Sequence, residues 1–143
     1  MHLTITTPRG YLVQIEAEEI VAPGVLGEFD ILPGHIPFMS VLKPGVLSYR
    51  GKDGTKFLAV GDGVLQVARV RQGSDQNDKV EVLVNRGENG KDVDREAAQR
   101  ELTAADSELA KSKAESSAEL KPMQDRRAWA AAQVDAANRT GTH

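Results

Sequence analysis

The chain has 143 residues, no cysteine and a formal net charge of −3. This length suggests one domain or two small ones. Without cysteine, disulfide scaffolds, thiolate zinc sites and cysteine nucleophiles are excluded. The 18 Lys and Arg against 21 Asp and Glu leave no basic excess for holding a nucleic-acid backbone. No apolar run approaches about 20 residues, and the N-terminal residues lack a secretion-signal pattern, so neither membrane insertion nor export is expected.

The composition changes after residue 90. Residues 1–90 contain 12 of the 13 Gly, five of the six Pro and only four Ala, whereas residues 91–143 contain 13 Ala and seven large apolar side chains. Ordering each residue costs roughly 1–2 kcal/mol of backbone entropy. The first part can therefore bury its own core, while the second needs a neighbour. We expect one domain at residues 1–88 and a second at residues 89–143.

The first domain has short apolar and β-branched runs separated by turn residues, which predicts an antiparallel β-sandwich. The predicted strands are 3–6, 11–17, 19–22, 27–32, 46–49, 57–60, 64–70 and 79–84. Lys52-Asp53-Gly54 predicts a hairpin turn, and the polar run at residues 74–78 predicts a surface loop. Because no helical pattern of about 12 residues separates the strands, parallel pairing through β-α-β units is not expected.

The second domain is predicted to be an antiparallel hairpin of two helices, which makes the chain an α+β protein with β structure first. One helical stripe consists of Ala98, Leu102, Ala105 and Leu109. Asp92 or Asp94 can cap the first helix, Pro122 suits the first turn of the second, and residues 138–143 should be frayed. Because its apolar seam is narrow, the hairpin should pack on the sandwich or on a partner protein.

The sequence contains no convincing catalytic or metal-binding pattern. The histidines do not lie at metal-ligand spacing from one another: His2, His35 and His143. An acidic cluster of Glu16, Glu18 and Glu19 fits a solvated strand edge better than an acid/base pair. Arg126 and Arg127 beside Trp129 fit either a solvated helix face or a contact with a nucleobase or an acidic partner.

Residues 22–37 are the most distinctive segment of the chain. Two Pro-Gly corners flank a short strand, and a third Pro follows the second corner. One interpretation is an ordinary sandwich corner. The other is a docking edge, because a stiff loop loses little conformational entropy on binding.

In this segment the sequence resembles the epsilon subunit of bacterial F-type ATP synthase. The family pattern is roughly P-G-x-x-G-x-F-G-I-L-P-G-H-x-P, then L-K-P-G, and the chain has PGVLGEFDILPGHIP at 23–37 and LKPG at 42–45. Asp30 stands where the family usually has Gly. If that position required a positive φ, Asp would cost about 1 kcal/mol there. Residues 57–67 resemble a second family segment, with differences in its Gly-Gly-Phe turn.

The resemblance implies a non-catalytic subunit, without a cofactor, of the proton-translocating ATP synthase. In the family, the sandwich is part of the central rotor stalk, binds the gamma subunit and rests on polar loops of the membrane c-subunit ring. It lies peripherally at the cytoplasmic face of the inner membrane. By their motif positions, Glu28 and His35 are then expected on the edge that faces the ring.

The resemblance also implies a regulatory role for the hairpin. In many family members it opens along gamma, meets the beta and alpha subunits, and blocks ATP hydrolysis. A hairpin with few large apolar contacts has a small free-energy gap between docked and extended states. The candidate inhibitory basic residues are Lys111, Lys113, Lys121, Arg126 and Arg127. Ten acidic residues in the same part of the chain weaken this electrostatic argument.

Some family members bind ATP through an I/L-D-x-x-R-A motif at the start of the first helix. The matching residues are Val93, Asp94, Ala97 and Ala98. Because Ala97 replaces the arginine that would pair with phosphate, we expect weak or no ATP binding. A different class of function is a stand-alone β-sandwich binding module whose helical tail recruits a partner.

Overall fold

The computed structural model describes residues 1–72, 75–113 and 116–141, with side chains for all of these except residues 71, 72, 75, 76 and 117. Within these ranges, ten strands precede two α-helices. The strands are β1 His2–Thr7, β2 Gly10–Glu16, β3 Glu19–Gly24, β4 Gly27–Ile31, β5 Phe38–Leu42, β6 Gly45–Gly51, β7 Gly54–Val60, β8 Gly63–Gln72, β9 Asp75–Val84 and β10 Gly87–Asn89. A 3-10 turn, Gly90–Asp92, leads into α1 Arg95–Lys111 and α2 Ser117–Thr140.

The strands form one connected sheet that wraps around a single apolar core. Their order is β10-β7-β6-β3-β5-β8-β9-β1-β2, with β4 paired to β3. The predicted alternation holds in β9, where Val80, Val82 and Val84 are buried. The predicted hairpin turn is also confirmed, since Gly51 pairs with Gly54, whose φ of +97° suits glycine. The predicted order of a β-sandwich followed by two helices is therefore confirmed.

Three details of the sheet differ from the sequence prediction. Strands β5 and β10 were not predicted, because β5 has apolar residues on both faces and β10 is short and begins with glycine. The expected loop at residues 74–78 is wrong from residue 75 onward, since β9 begins there and pairs with β8; Ser74 lies outside the described residues. Finally, β1 pairs with β9 in parallel. No β-α-β crossover is needed, because these strands are far apart in the sequence.

The helices confirm one predicted cap and correct two other expectations. The Asp94 side chain caps α1 by accepting a hydrogen bond from the Ala97 N–H at 3.1 Å. The second helix begins at Ser117, so Pro122 lies inside α2 rather than in its first turn, where it removes one helical hydrogen bond. Nor are residues 138–140 frayed, since α2 continues to Thr140. His143 lies outside the described residues.

The hairpin packs on the sandwich, which was one of the two expected alternatives. Ala132 and Ala136 of α2 form a second buried cluster with Val46 and Ala59 of β6 and β7. These small side chains let the helix backbone approach the sheet closely. The 3-10 turn is also close to α2: a Cβ added at Gly90 would lie 2.3 Å from Thr140 Oγ1 and 2.6 Å from the Ala136 carbonyl oxygen. The fully buried part of the interface between the hairpin and the sandwich therefore consists of small side chains and Val46, with the partly buried Phe57 and Trp129 packed against them.

Candidate functional site

Residues 23–37, called the end segment below, form an exposed end of the sandwich. Strands β3 and β4 join through a tight turn in which Gly24 pairs with Gly27, whose φ is +127°. Leu26 at the tip of this turn is 101% exposed. The other exposed large apolar residues of the end segment are Val25, Leu32 and Ile36. Exposed apolar side chains on a backbone stiffened by Pro are typical of a docking surface.

The two residues predicted to face a ring both lie in the end segment. Glu28 is exposed on β4, opposite Pro23. His35 is half-buried; its ring centroid lies 5.4 Å from that of Phe38, and its Nδ1 atom lies 2.8 Å from the Ile36 carbonyl oxygen. This end therefore presents one carboxylate and one imidazole among apolar side chains.

Asp30 does not carry the backbone strain considered for it. It lies on β4 opposite Val21 and its φ is not positive. The condition under which Asp would be costlier than Gly is therefore not met. The glycine usual in the family is not required by the backbone at this position.

A second exposed apolar surface crosses the outer face of the sheet. The register places Val41 beside Val64, Val64 beside Leu83, and Thr6 beside both Leu83 and Tyr11. These five residues, called the outer row, span β5, β8, β9, β1 and β2. Leu83 is 54% and Tyr11 70% exposed. Sequence reasoning missed this surface; the apolar residues on both faces of β5 and β8 were the available signal.

The candidate inhibitory residues divide into three groups in the docked hairpin. Arg126 binds Glu101 and Glu108 of α1, and Arg127 binds Asp106 of α1. Lys121 pairs with its own helical neighbour Asp125 at 3.3 Å. Lys111 and Lys113 are exposed at the end of α1 and just beyond it.

Arg126 and Arg127 contact acidic residues of α1 while remaining partly exposed to solvent. The hydrogen bond that Arg126 Nε donates to the Glu101 carboxylate is the main cause that raises the pKa of Arg126. Both arginines therefore bind acidic residues, but these residues belong to the same chain. With the hairpin closed, the two side chains are occupied.

Trp129 faces the sandwich rather than its neighbouring arginines. The guanidinium carbon of Arg86 lies 4.4 Å from the Trp129 ring centroid, a cation–π geometry. Burial lowers the pKa of Arg86, while Asp125 and Asp62 oppose this shift. A hydrogen bond of 3.0 Å from Gln133 Nε2 to Glu88 Oε1 adds a second link between α2 and the sandwich.

The residues of the degenerate ATP motif form the start of α1. Val93 ends the 3-10 turn, Asp94 caps α1, and Ala97 and Ala98 lie in its first turn, where Ala98 is buried. A shallow depression nearby is lined by Arg95, Glu96, Gln99, Arg100 and Asn138. Arg95 donates to Asn138 Oδ1 at 3.2 Å, so this side chain is also engaged. The described residues contain no cluster of three or more potential metal ligands.

The sandwich matches a known domain over its whole length. The family model for the ATP synthase delta/epsilon chain β-sandwich domain matches residues 1–90. The chain belongs to the ATP synthase delta/epsilon family. The ATP synthase epsilon chain of Geotalea daltonii is 40% identical over 112 residues, covering 78% of this chain and 75% of that relative. The Geobacter sulfurreducens epsilon chain is 36% identical with the same coverages. The resemblance seen in the end segment is thus confirmed.

Solved structures share the fold of this delta/epsilon family member, including its helices. A chain of the Euglena gracilis mitochondrial ATP synthase superposes with a TM-score of 0.72 at 21% identity, covering 94% of this chain and 79% of that one. A chain of the Tetrahymena thermophila mitochondrial ATP synthase, in a structure of its central stalk and c-ring, superposes with a TM-score of 0.63 at 18% identity, covering 95% of each chain. No helix among the described residues is long and apolar enough to cross a membrane.

Proposed function

We propose that this chain is a non-catalytic subunit of the central stalk of a proton-translocating ATP synthase, coupling the gamma subunit to the c-subunit ring. The observation that carries the proposal is the pair of exposed apolar surfaces on one rigid sandwich, the end segment and the outer row. A part that transmits torque needs two docking surfaces joined by a body that does not deform. A close-packed β core has that low compressibility.

Each surface is assigned to one partner by its chemistry. The outer row is broad, largely apolar and includes an exposed tyrosine, the composition of a stable protein–protein interface; we assign it to gamma. The end segment presents Glu28 and His35 beside apolar side chains, and we assign it to the polar loops of the ring. This arrangement places the chain peripherally, at the cytoplasmic face of the membrane.

Cross-linking in the assembled ATP synthase tests both assignments. Because the chain has no cysteine, one introduced thiol gives one unambiguous attachment point for a photo-cross-linker. Glu28→Cys should form adducts with the ring subunit, and Leu83→Cys should form adducts with gamma. Lys52→Cys, on the exposed β6–β7 turn, is the matched control and should form neither. Exchanged partners, or no adduct from either variant, would contradict the proposal.

We further propose that residues 1–88 and 89–143 act as separate units, and that the hairpin inhibits ATP hydrolysis only when it opens. Support comes from Arg126 and Arg127, which are bound to acidic residues of α1 while the hairpin is closed. Opening would free both for the beta and alpha subunits. Deleting residues 91–143 should raise ATP hydrolysis by the reconstituted enzyme. Unchanged hydrolysis with and without a proton gradient, at all nucleotide levels, would contradict this role.

A further inference from the structure

Strands β8 and β9 extend beyond the strands on either side of them. The last pair between β5 and β8 is Phe38 with Val67, and the last pair between β1 and β9 is His2 with Lys79. The pairing of β8 with β9 continues past both, from Arg69 opposite Asp78 onward. Among the described residues, no other strand pairs with these rows. They form a two-stranded ribbon that projects past the sheet.

The first row of this ribbon, Arg69 and Asp78, is hydrogen-bonded to Gly34 of the end segment. The Asp78 carboxylate accepts a hydrogen bond from the Gly34 N–H, and the Arg69 Nη2 donates to the Gly34 carbonyl oxygen at 2.8 Å. Arg69 and Asp78 also face each other as an ion pair, with Nε and Oδ1 3.6 Å apart. Both backbone polar groups of one loop residue are therefore bound by one pair of opposite charges.

This contact differs from an ordinary surface ion pair. The Asp78 side chain is only 11% exposed, so water screens it less than a solvated carboxylate. Hydrogen bonds with one charged partner are stronger than neutral ones. Gly34 itself has a φ of +87°, a conformation that favours glycine at this position. The residues beside the corner, Leu32 and Ile36, are exposed and add little buried apolar surface.

We propose that Arg69 and Asp78 are positioning residues, which hold residues 33–37, and with them His35, in the orientation that meets the c-subunit ring. The proposal rests on the proposed function for the identity of the partner. The two hydrogen bonds that join Arg69 and Asp78 to Gly34, called the clamp below, are a property of the isolated chain and can be tested there. A projecting ribbon that braces the docking loop would keep the loop from yielding under torque.

The first test uses NMR on the full-length isolated chain. Asp78→Ala should speed amide hydrogen exchange at Gly34 by roughly 10–100-fold, because it removes a hydrogen bond to a charged group. It should also shift the His35 ring protons, which lie near the Phe38 ring. Asp78→Asn retains an acceptor oxygen and should recover part of the protection. Lys79→Ala is the matched control: it breaks the neighbouring 2.9 Å ion pair with Glu81 and should change neither signal.

The second test places the same variants in the assembled enzyme. A cross-linker on Ile36→Cys should reach the ring, and adding Asp78→Ala should lower that yield several-fold while the Leu83→Cys adduct with gamma persists. Unchanged Gly34 exchange would overturn the clamp. Faster exchange with an undiminished ring adduct would overturn its positioning role. Absence of ring adducts in every background would overturn the proposed function and the ring-directed part of this inference, but not the clamp.

Discussion

The sandwich and the hairpin are held by contacts of very different size. The sandwich core is built from fully buried large side chains such as Leu3, Ile5 and Leu65. The interface between hairpin and sandwich is centred on Ala132 and Ala136. Since hydrophobic stabilisation scales with apolar area buried, each alanine contributes a fraction of what each leucine does. One chain thus contains a core of large buried side chains and an interface whose fully buried members are small, with the partly buried Phe57 and Trp129 beside them.

The largest expected effect lies in the sandwich. Leu65→Ala, on β8, should lower the free energy of unfolding by about 2–5 kcal/mol, because it leaves a cavity in a core that cannot collapse around it. Denaturant unfolding followed by circular dichroism measures the loss. Leu26→Ala, at a fully exposed position, is the control and should leave the midpoint nearly unchanged. A comparable loss of unfolding free energy from both variants would contradict the expectation that burial of the side chain sets the size of the effect.

The next effect should separate the hairpin from the sandwich. Gly90→Ala would place a Cβ 2.3 Å from Thr140 Oγ1 and 2.6 Å from the Ala136 carbonyl oxygen, both of α2, and 2.8 Å from the Phe57 carbonyl oxygen of β7. The 3-10 turn must therefore shift away from β7, and α2 must move away from the turn. Overpacking of this kind costs about 1–3 kcal/mol. Because Trp129 is the only tryptophan, its fluorescence reports docking directly.

The emission of Gly90→Ala should shift toward longer wavelength, while the sandwich keeps its unfolding midpoint. Gly141→Ala, near the end of α2, is the matched control, since the nearest atom to its added Cβ lies at 3.5 Å. If Gly90→Ala lowered the unfolding midpoint of the sandwich as well as weakening hairpin docking, the two regions would not be stabilised separately.

A smaller effect is expected at the contact between Arg86 and Trp129. Arg86→Ala should weaken hairpin docking by about 0.5–2 kcal/mol, the range of cation–π contacts from exposed to desolvated sites. Arg86→Lys should retain part of the docking because it keeps a cation. The same fluorescence signal, followed during mild denaturant titration, measures both. Equal behaviour of the alanine and lysine variants would show that the charge over the ring contributes nothing.

The smallest effect is expected from ATP. Because Asp94 caps α1 and Ala97 brings no charge, ATP should bind weakly or not at all and should not shift the balance between docked and open hairpin. Isothermal titration calorimetry on the full chain, with Trp129 fluorescence in parallel, checks this. Millimolar or tighter affinity would contradict it and would indicate that Arg95 and Arg100 act in place of the missing arginine.

Much of the architecture followed from local pattern. The change of composition near residue 90, the alternation of valines in β9 and the cap at Asp94 each depend on neighbours a few residues away, and each was predictable. The position of Pro122 was misjudged because Ser116 supplies a better cap upstream, with its side chain accepting from the Glu119 N–H at 3.2 Å. The motif at residues 23–37 identified the family but not the residues that brace it.

The sequence by itself determined that a β body precedes an alanine-rich hairpin, because residue spacing and turn chemistry act over short distances. Only the tertiary structure decided that α2 packs on the sandwich and that Arg126 and Arg127 bind acidic residues on α1. The same holds for the hydrogen bonds that join Arg69 and Asp78 to Gly34. The side-chain contacts among these join residues between 18 and 44 positions apart, and the packing of α2 on β6 and β7 joins residues more than 70 positions apart. No local pattern marks such a pairing, because it depends on how the whole sheet registers and folds.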